Sequence, residues 1–187
     1  LKEIVPPYVR IQRIQRDIPK PQIIAGVMNA NLRQYARREL KSRGKKCNCI
    51  NCRELWRAHI DPSTAELKEI KYKSSGGDEY FLSYESGSKL LGYLRLRLDD
   101  NATVRELKVT GQAANIGKTG TGVQHMGLGS KLMKVAEEKA KGYAKIRVTH
   151  GPGTRLYYEK LGYSLEDYYM VKDLSLIHIS EPTRPRL

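Results

Sequence analysis

Between residues 64 and 98 the mix of apolar and polar positions gives three strand-like runs, 67–73, 80–85 and 90–98, separated by Gly, Ser, Asp and Asn. Short strand-like runs broken by turn-forming residues at this spacing predict an antiparallel meander, with residues 105–110 as a further strand. After a glycine-rich stretch, 111–127, the period changes. Leu132, Met133, Val135, Ala136 and Ala140 recur at helical spacing and predict a helix over about 128–141. A strand over 144–149, a short helix over 154–161 and a last strand over 163–171 complete the pattern. The order predicts an α/β fold, a mixed β-sheet flanked by helices.

The first 62 residues read differently. An alternating basic and apolar run begins after Pro7 and suggests a strand, but one too short to bury a face alone. It is expected to join a sheet whose other strands are missing, which makes the chain read as a C-terminal fragment. Asn29 to Leu32 then offers a cap for a base-rich helix over 32–42 that stops at Gly44. A cysteine cluster follows, and Asp61-Pro62-Ser63-Thr64 reads as a hinge. The expected division is 1–62, 63–174 and a tail, 175–187, that resembles translated vector sequence; a genuine flexible C-terminus is the alternative.

Composition narrows the class. The chain has 187 residues, 40% hydrophobic and 29% charged, enough for one ordinary domain with attachments and too apolar for a disordered polyelectrolyte. No run approaches the roughly 18 apolar residues of a spanning helix, and residues 1–14 lack a signal core, so no membrane association is expected. Lys and Arg number 34 against 20 Asp and Glu, a net charge of +14 that attracts polyanions. The basic pole is N-terminal, where residues 1–62 hold 14 bases and 5 acids. All three cysteines, Cys47, Cys49 and Cys52, lie within six residues, which suits a metal site in a reducing compartment better than a disulfide framework. A cytoplasmic location is expected.

The sharpest motif is Gln124-His125-Met126-Gly127-Leu128-Gly129-Ser130, between a predicted strand and a predicted helix. Glycines at alternate positions let backbone N–H groups approach an anion, and the helix N-terminus adds partial positive charge. The run lacks the spacing and the Lys-Ser/Thr of a nucleotide P-loop. A tight turn before a helix is the bland alternative. Downstream, Gly151-Pro-Gly-Thr154-Arg155-Leu-Tyr157-Tyr158-Glu-Lys-Leu-Gly162-Tyr163 leaves a strand, builds a short helix and closes on a glycine. Together the two runs resemble the GCN5-related N-acetyltransferase (GNAT) superfamily over about residues 64–173. The resemblance implies that residues 124–130 hold the pyrophosphate of acetyl-CoA, that Arg155 and Tyr157 line its far side, and that Tyr158 protonates the departing thiolate. A packed core tyrosine is the alternative for Tyr158. Gly151 and Thr154 stand where that superfamily often has Asn and Ala.

Further strings point to one branch. Arg13-Ile-Gln-Arg16-Asp-Ile-Pro19, Asn31-Leu-Arg33, Cys47-Asn-Cys49-Ile-Asn-Cys52-Arg-Glu54, Arg105-Glu-Leu107 and Leu161-Gly-Tyr163, with the motifs above, are similar over residues 1–174 to the family of Elongator-type catalytic subunits, most of all its archaeal and bacterial forms. That resemblance implies a tRNA-modifying enzyme forming 5-carboxymethyluridine at the wobble position. It also implies a missing N-terminal radical S-adenosylmethionine domain with its [4Fe-4S] cluster, of which residues 1–62 are the end and the linker. Further Elongator-type subunits or a homodimer are implied partners. Lys108-Val-Thr110-Gly111 departs from the family's aromatic pattern and leaves the acetyl pocket's details open.

Cys-x-Cys-x-x-Cys gathers three thiolates of the kind zinc favours, with His59 the nearest fourth ligand in sequence; three reduced thiols are the alternative. Arg10, Arg13, Arg16, Arg33, Arg37, Arg38, Lys41, Arg43, Lys45 and Lys46 form the strongest positive region, a candidate tRNA phosphate face or a solvated one. Two other functions fit parts of the pattern. One is an ordinary GNAT enzyme acetylating a lysine or small amine, with Glu106 as the base; the other is a non-catalytic zinc-containing RNA-binding module.

Overall fold

The computed structural model describes residues 1–12, 19–26, 32–55, 60, 64–110 and 127–175. The chain divides into two compact units, Leu1–Glu54 and Leu55–Leu187. The second is built on a seven-stranded mixed sheet: β1 (Glu66–Ser74), β2 (Gly77–Ser86), β3 (Lys89–Leu98), β4 (Ala102–Val109), β5 (Lys145–Thr149), β6 (Ser164–Glu166) and β7 (Tyr169–Asp173), in spatial order β1-β2-β3-β4-β5-β7-β6. The first four strands form the expected antiparallel meander, and β4 and β5 run parallel.

The helical period of residues 128–140 does what it predicts. In the second unit one helix (Leu128–Lys139) turns Leu132, Met133 and Ala136 onto the sheet. There they pack against Leu82, Leu94, Leu96, Val104, Ile146 and Val148, every one of them essentially inaccessible to water. Burying a side chain of this size contributes about 1.5–3 kcal/mol, so this layer is a large source of the unit's apolar stabilisation.

Two expectations are corrected. The single strand over 163–171 is a hairpin, β6 and β7, that turns at Asp167 with φ of 51°. Aspartate tolerates that left-handed conformation without glycine, so composition carried no turn signal. The strand after Pro7 does not form within residues 1–12, which hold turns only, closed by hydrogen bonds from Ile4 N–H to the Leu1 carbonyl and from Val9 N–H to the Pro6 carbonyl. No strand among the described residues pairs with this run, and the Val9 carbonyl accepts from Ile50 N–H at 3.0 Å. The remainder of that run, residues 13–18, lies outside the described residues.

In the sheet, Glu79 is 3% exposed and accepts hydrogen bonds from the Tyr72 hydroxyl at 2.7 Å and the Arg105 guanidinium at 2.6 Å. Burial pushes its carboxyl up, but those two bonds and the charge of Arg105 outweigh burial and hold it below the usual carboxylate range. The lowered value means that its contribution is complete at neutral pH and is lost as pH falls below about 4. Glu79→Ala, which strands the cationic partners, is expected to cost about 3 kcal/mol in urea unfolding at pH 7. Glu79→Gln is expected to flatten the acid limb of stability; an unchanged limb would refute this account of Glu79.

Candidate functional site

Strand β4 carries the opening on which the site is built. Its ladder to β5 consists of three pairs, Ala102 with Ile146, Thr103 with Arg147 and Val104 with Val148. On its other side Leu96 pairs with Val104 and Arg95 with Glu106, so Arg105 is an extra residue, a β-bulge. A bulge bends its strand and strengthens the local twist. The bulge falls at the residue where the β5 ladder stops, and β4 and β5 part there. Thr110 then ties the end of β4 to β3: its N–H donates to the Leu91 carbonyl at 2.7 Å and its hydroxyl to the Leu90 carbonyl at 2.6 Å. Its side chain is therefore spent on the sheet.

At this end of β4 stands the start of the helix over Leu128–Lys139. Its capping position is Gly127, with φ of 65°, and no side chain caps it. The helix's first turn contains no acidic residue. Helix geometry leaves the N–H groups of Leu128, Gly129 and Ser130 without intrahelical partners, while Lys131 N–H donates to the Gly127 carbonyl at 2.9 Å. A cluster of unpaired donors with a positive macrodipole end is suited to an anion. Of the predicted cradle, Gly127, Leu128, Gly129 and Ser130 are placed here; Gln124, His125 and Met126 lie outside the described residues.

The short helix Arg155–Glu159 brings the paired tyrosines to the same place. A methyl group added at Gly129 would lie 2.6 Å from the Tyr157 hydroxyl and 3.7 Å from Val109 Cγ2, so Gly129, Tyr157 and the end of β4 meet. Burial pushes the Tyr157 hydroxyl up and hydrogen bonding with Ser130 draws it partly back. Tyr158, by contrast, is 5% exposed and packs within the core. Burial, and to a lesser extent Tyr157, pushes its hydroxyl up to about 12. Its ring meets Tyr157 and Tyr163 edge-on, with centroids 5.1 and 6.1 Å away. Tyr163 is in turn braced: its hydroxyl donates to Glu137 at 2.8 Å, and Lys172 pairs with the same carboxylate at 3.0 Å. Sequence reasoning missed this brace because its three members lie on three elements; only Tyr163, inside the motif, gave a signal. Arg155 is exposed at the start of its helix.

Glu106 accepts from the Tyr93 hydroxyl and from Arg95 Nε at 3.0 Å. Both of those partners tie Glu106 to strand β3.

In the first unit the cysteine cluster follows the helix α1 (Leu32–Ser42) and runs into α2 (Ile50–Arg53), which contains Cys52. Cys49 sits at the capping position of α2 and is fully buried. Arg53 holds the turn from behind, donating to the Asn48 carbonyl and the Pro7 carbonyl, each at 2.8 Å. The next residue, Glu54, receives both terminal nitrogens of Arg10 at 2.6 and 3.1 Å. The three sulfurs consequently lie within 4.8 Å of one another. Tetrahedral thiolate ligation needs sulfurs on the order of 4 Å apart, so the donors present fit a metal ion. Burial pushes the Cys47 thiol up to about 11, while at Cys52 burial is outweighed by Arg37, Cys49 and Lys2, which bring it down to about 7. His59 lies outside the described residues.

The ten basic candidates are not equivalent. Arg10 is spent on Glu54, and Arg33 on the carbonyls of Ile11 and Gln12 at 3.0 Å each. Arg37 reaches Cys52, Arg43 pairs with Glu39, and Lys45 pairs with Glu3. Arg38 lies 5.7 Å over the Tyr35 ring, and Lys41 and Lys46 are exposed. Arg13 and Arg16 fall outside the described residues. Among the described residues no helix is long and apolar enough to cross a membrane.

Comparison with known proteins agrees with this geometry. The sequence model of the acetyltransferase (GNAT) family matches residues 51–163. The tRNA uridine(34) acetyltransferase of Methanocaldococcus jannaschii is 41% identical over 92% of this chain and 36% of its own length. Elongator complex protein 3 of Schizosaccharomyces pombe is 41% identical over 90% of the chain and 35% of its own length. Among solved structures, an N-terminally deleted archaeal Methanocaldococcus infernus Elp3 superposes with a TM-score of 0.82 at 40% identity, covering 92% of this chain and 46% of that one. The chain thus spans little more than a third of the length of these curated relatives.

Gly127 and Gly129 have different local causes, and these can be separated. Gly127→Ala is expected to cost about 1 kcal/mol, the strain of a side chain in the left-handed region. Gly129→Ala is expected to cost more, because Tyr157 must move, and the double variant Gly129→Ala, Tyr157→Ala should lose clearly less than the sum of the two single losses. Additive losses in urea unfolding would show that the contact at Gly129 carries no energy.

Proposed function

Because the chain belongs to the acetyltransferase (GNAT) family, we propose that it is the acetyl-CoA-binding module of a longer enzyme that modifies the wobble uridine of tRNA. The observation that carries this reading is the uncapped helix start at Gly127, free of acidic residues and flanked by the hydroxyls of Ser130 and Tyr157, beside the end of β4 that runs on past its last pair with β5. The N–H groups of Leu128, Gly129 and Ser130 would hold the cofactor's diphosphate, with Gln124, His125 and Met126 extending that cradle and Arg155 and Tyr157 along its far side. When bound, acetyl-CoA supplies an acetyl group activated as a thioester.

What remains for the protein is to exclude water and manage the departing thiolate. Tyr158 is the candidate, in the position that the family resemblance gives it. Burial raises its pKa to about 12, so it holds its proton throughout the physiological range. Against a thiol of ordinary pKa, about 8.5, complete transfer of that proton is uphill by roughly 5 kcal/mol. Tyr158 therefore serves better as a hydrogen-bond donor that stabilises the thiolate as it forms than as an acid that neutralises it. The brace of Glu137, Tyr163 and Lys172 behind it keeps the ring in place.

The names of the relatives support uridine 34 of tRNA as the acceptor, and formation of 5-carboxymethyluridine, with a radical S-adenosylmethionine domain in the remainder of a longer chain, is the full reaction we assign. The cysteine trio is assigned to zinc, with His59 as the fourth ligand, on the strength of three mutually close sulfurs. The phosphate-facing charges are those free to reach outward, Arg38, Lys41 and Lys46, together with Arg13 and Arg16.

Calorimetric titration of the 187-residue chain with acetyl-CoA tests the central assignment. The parent is expected to bind, Gly127→Arg to lose binding by 100-fold or more, and Tyr158→Phe to bind within about threefold of the parent. Equal binding by the parent and Gly127→Arg would remove the cradle from the mechanism. In the longer enzyme, Tyr158→Phe is expected to slow release of coenzyme A about 100-fold with KM nearly unchanged.

A further inference from the structure

The basic residues around the cysteine trio do not all face outward. Lys2 is a lysine only 7% exposed, and its ammonium has one hydrogen-bond partner among the described residues, Cys52 Sγ at 3.9 Å. The same sulfur receives an N–H of Arg37, from α1, at 3.5 Å. Two cations from separate segments, one in the opening turn and one in a helix, therefore converge on one thiol. A buried ammonium is costly unless an anion answers it, and a neutral thiol is a poor answer.

A divalent ion held by three thiolates and one neutral ligand carries a net charge of −1, concentrated on the sulfurs. Such a site is favoured by cations that donate hydrogen bonds to its thiolates and disfavoured by burial without them. We propose that Lys2 and Arg37 are outer partners of the metal site that hold the thiolate of Cys52 and set metal affinity, and that Arg37 consequently belongs to this site and not to the RNA-facing surface. This rests on the zinc assignment above. The basic segment is thereby divided in two. Lys2 and Arg37 neutralise the cluster, while Lys41 and Lys46, exposed and without a carboxylate partner among the described residues, remain for phosphate.

The test uses the whole 187-residue chain and two readouts on the same variants. Zinc affinity is measured by competition with a chromophoric chelator, with the Co(II) thiolate absorption band counting the bound sulfurs. tRNA affinity is measured as a function of salt. Arg37→Ala is expected to weaken zinc binding about 10-fold, and Lys2→Met by a similar factor. Both should leave the salt slope of tRNA binding unchanged. Arg37→Lys, which keeps the charge, should recover part of the loss. Lys41→Ala and Lys46→Ala should each reduce the salt slope by about one and bind zinc within twofold of the parent. Arg37 is exposed, so its variant tests the idea even if Lys2→Met does not fold. If Arg37→Ala binds zinc like the parent and loses one unit of salt slope, the assignment is overturned and Arg37 returns to the RNA face. A parent chain that binds neither Zn(II) nor Co(II) would remove the zinc reading itself, and this inference with it; tight binding by the parent with no loss in either variant would remove the inference alone.

Discussion

A parallel ladder of three residue pairs is the constraint on which the candidate site depends. Were β4 and β5 paired along their whole length, the sheet would be continuous, and the helix start at Gly127 would face a closed surface. The extra residue at Arg105 ends the pairing, and Glu79 secures that residue's guanidinium at 2.6 Å from the neighbouring part of the sheet. Thr110 then clips the free end of β4 to β3 so that it diverges as a fixed edge. An interruption of regular structure, held by a buried carboxylate and a buried hydroxyl, thereby creates a place where backbone donors meet an opening in the sheet.

The first unit follows a different logic. Among its described residues it has two α-helices and few buried apolar side chains, and small units of this kind need staples. Here they are polar. Arg53 reaches two backbone carbonyls, Arg10 grips Glu54 through both terminal nitrogens, and Arg33 does the same for the carbonyls of Ile11 and Gln12. The cysteines are brought together by these arginines, so much of the segment's positive charge is structural. A sum over sequence cannot make that distinction, because an arginine bonded to a carbonyl and one waiting for a phosphate count alike.

Regular elements with strong periodicity were legible in the sequence. The meander and the helix over Leu128–Lys139 follow from local pattern, and the closing helix before Gly162 from the motif that contains it. The Gly-x-Gly start and the cysteine spacing were legible as chemistry. What escaped was set by tertiary partners: the bulge at Arg105, the left-handed Asp167 that breaks the last strand, and the failure of residues 8–12 to form a strand, where no described strand pairs with them. The roles within Tyr157-Tyr158 were likewise hidden. Adjacent residues on a helix point about 100° apart, and only the fold decides that Tyr157 meets Gly129 while Tyr158 enters the core.

That meeting of Tyr157 with Gly129 also bears on how sequences of this kind diverge. A side chain at 129 is opposed by the Tyr157 hydroxyl, 2.6 Å from where one would begin, independently of any ligand. A lineage that replaced the tyrosine with something small would be released to carry alanine there, and one that acquired alanine first would be under pressure to shed the ring. The two positions, 28 residues apart in sequence, should drift as a pair, so a glycine at 129 in a homologue records the company of an aromatic neighbour as much as the presence of a coenzyme.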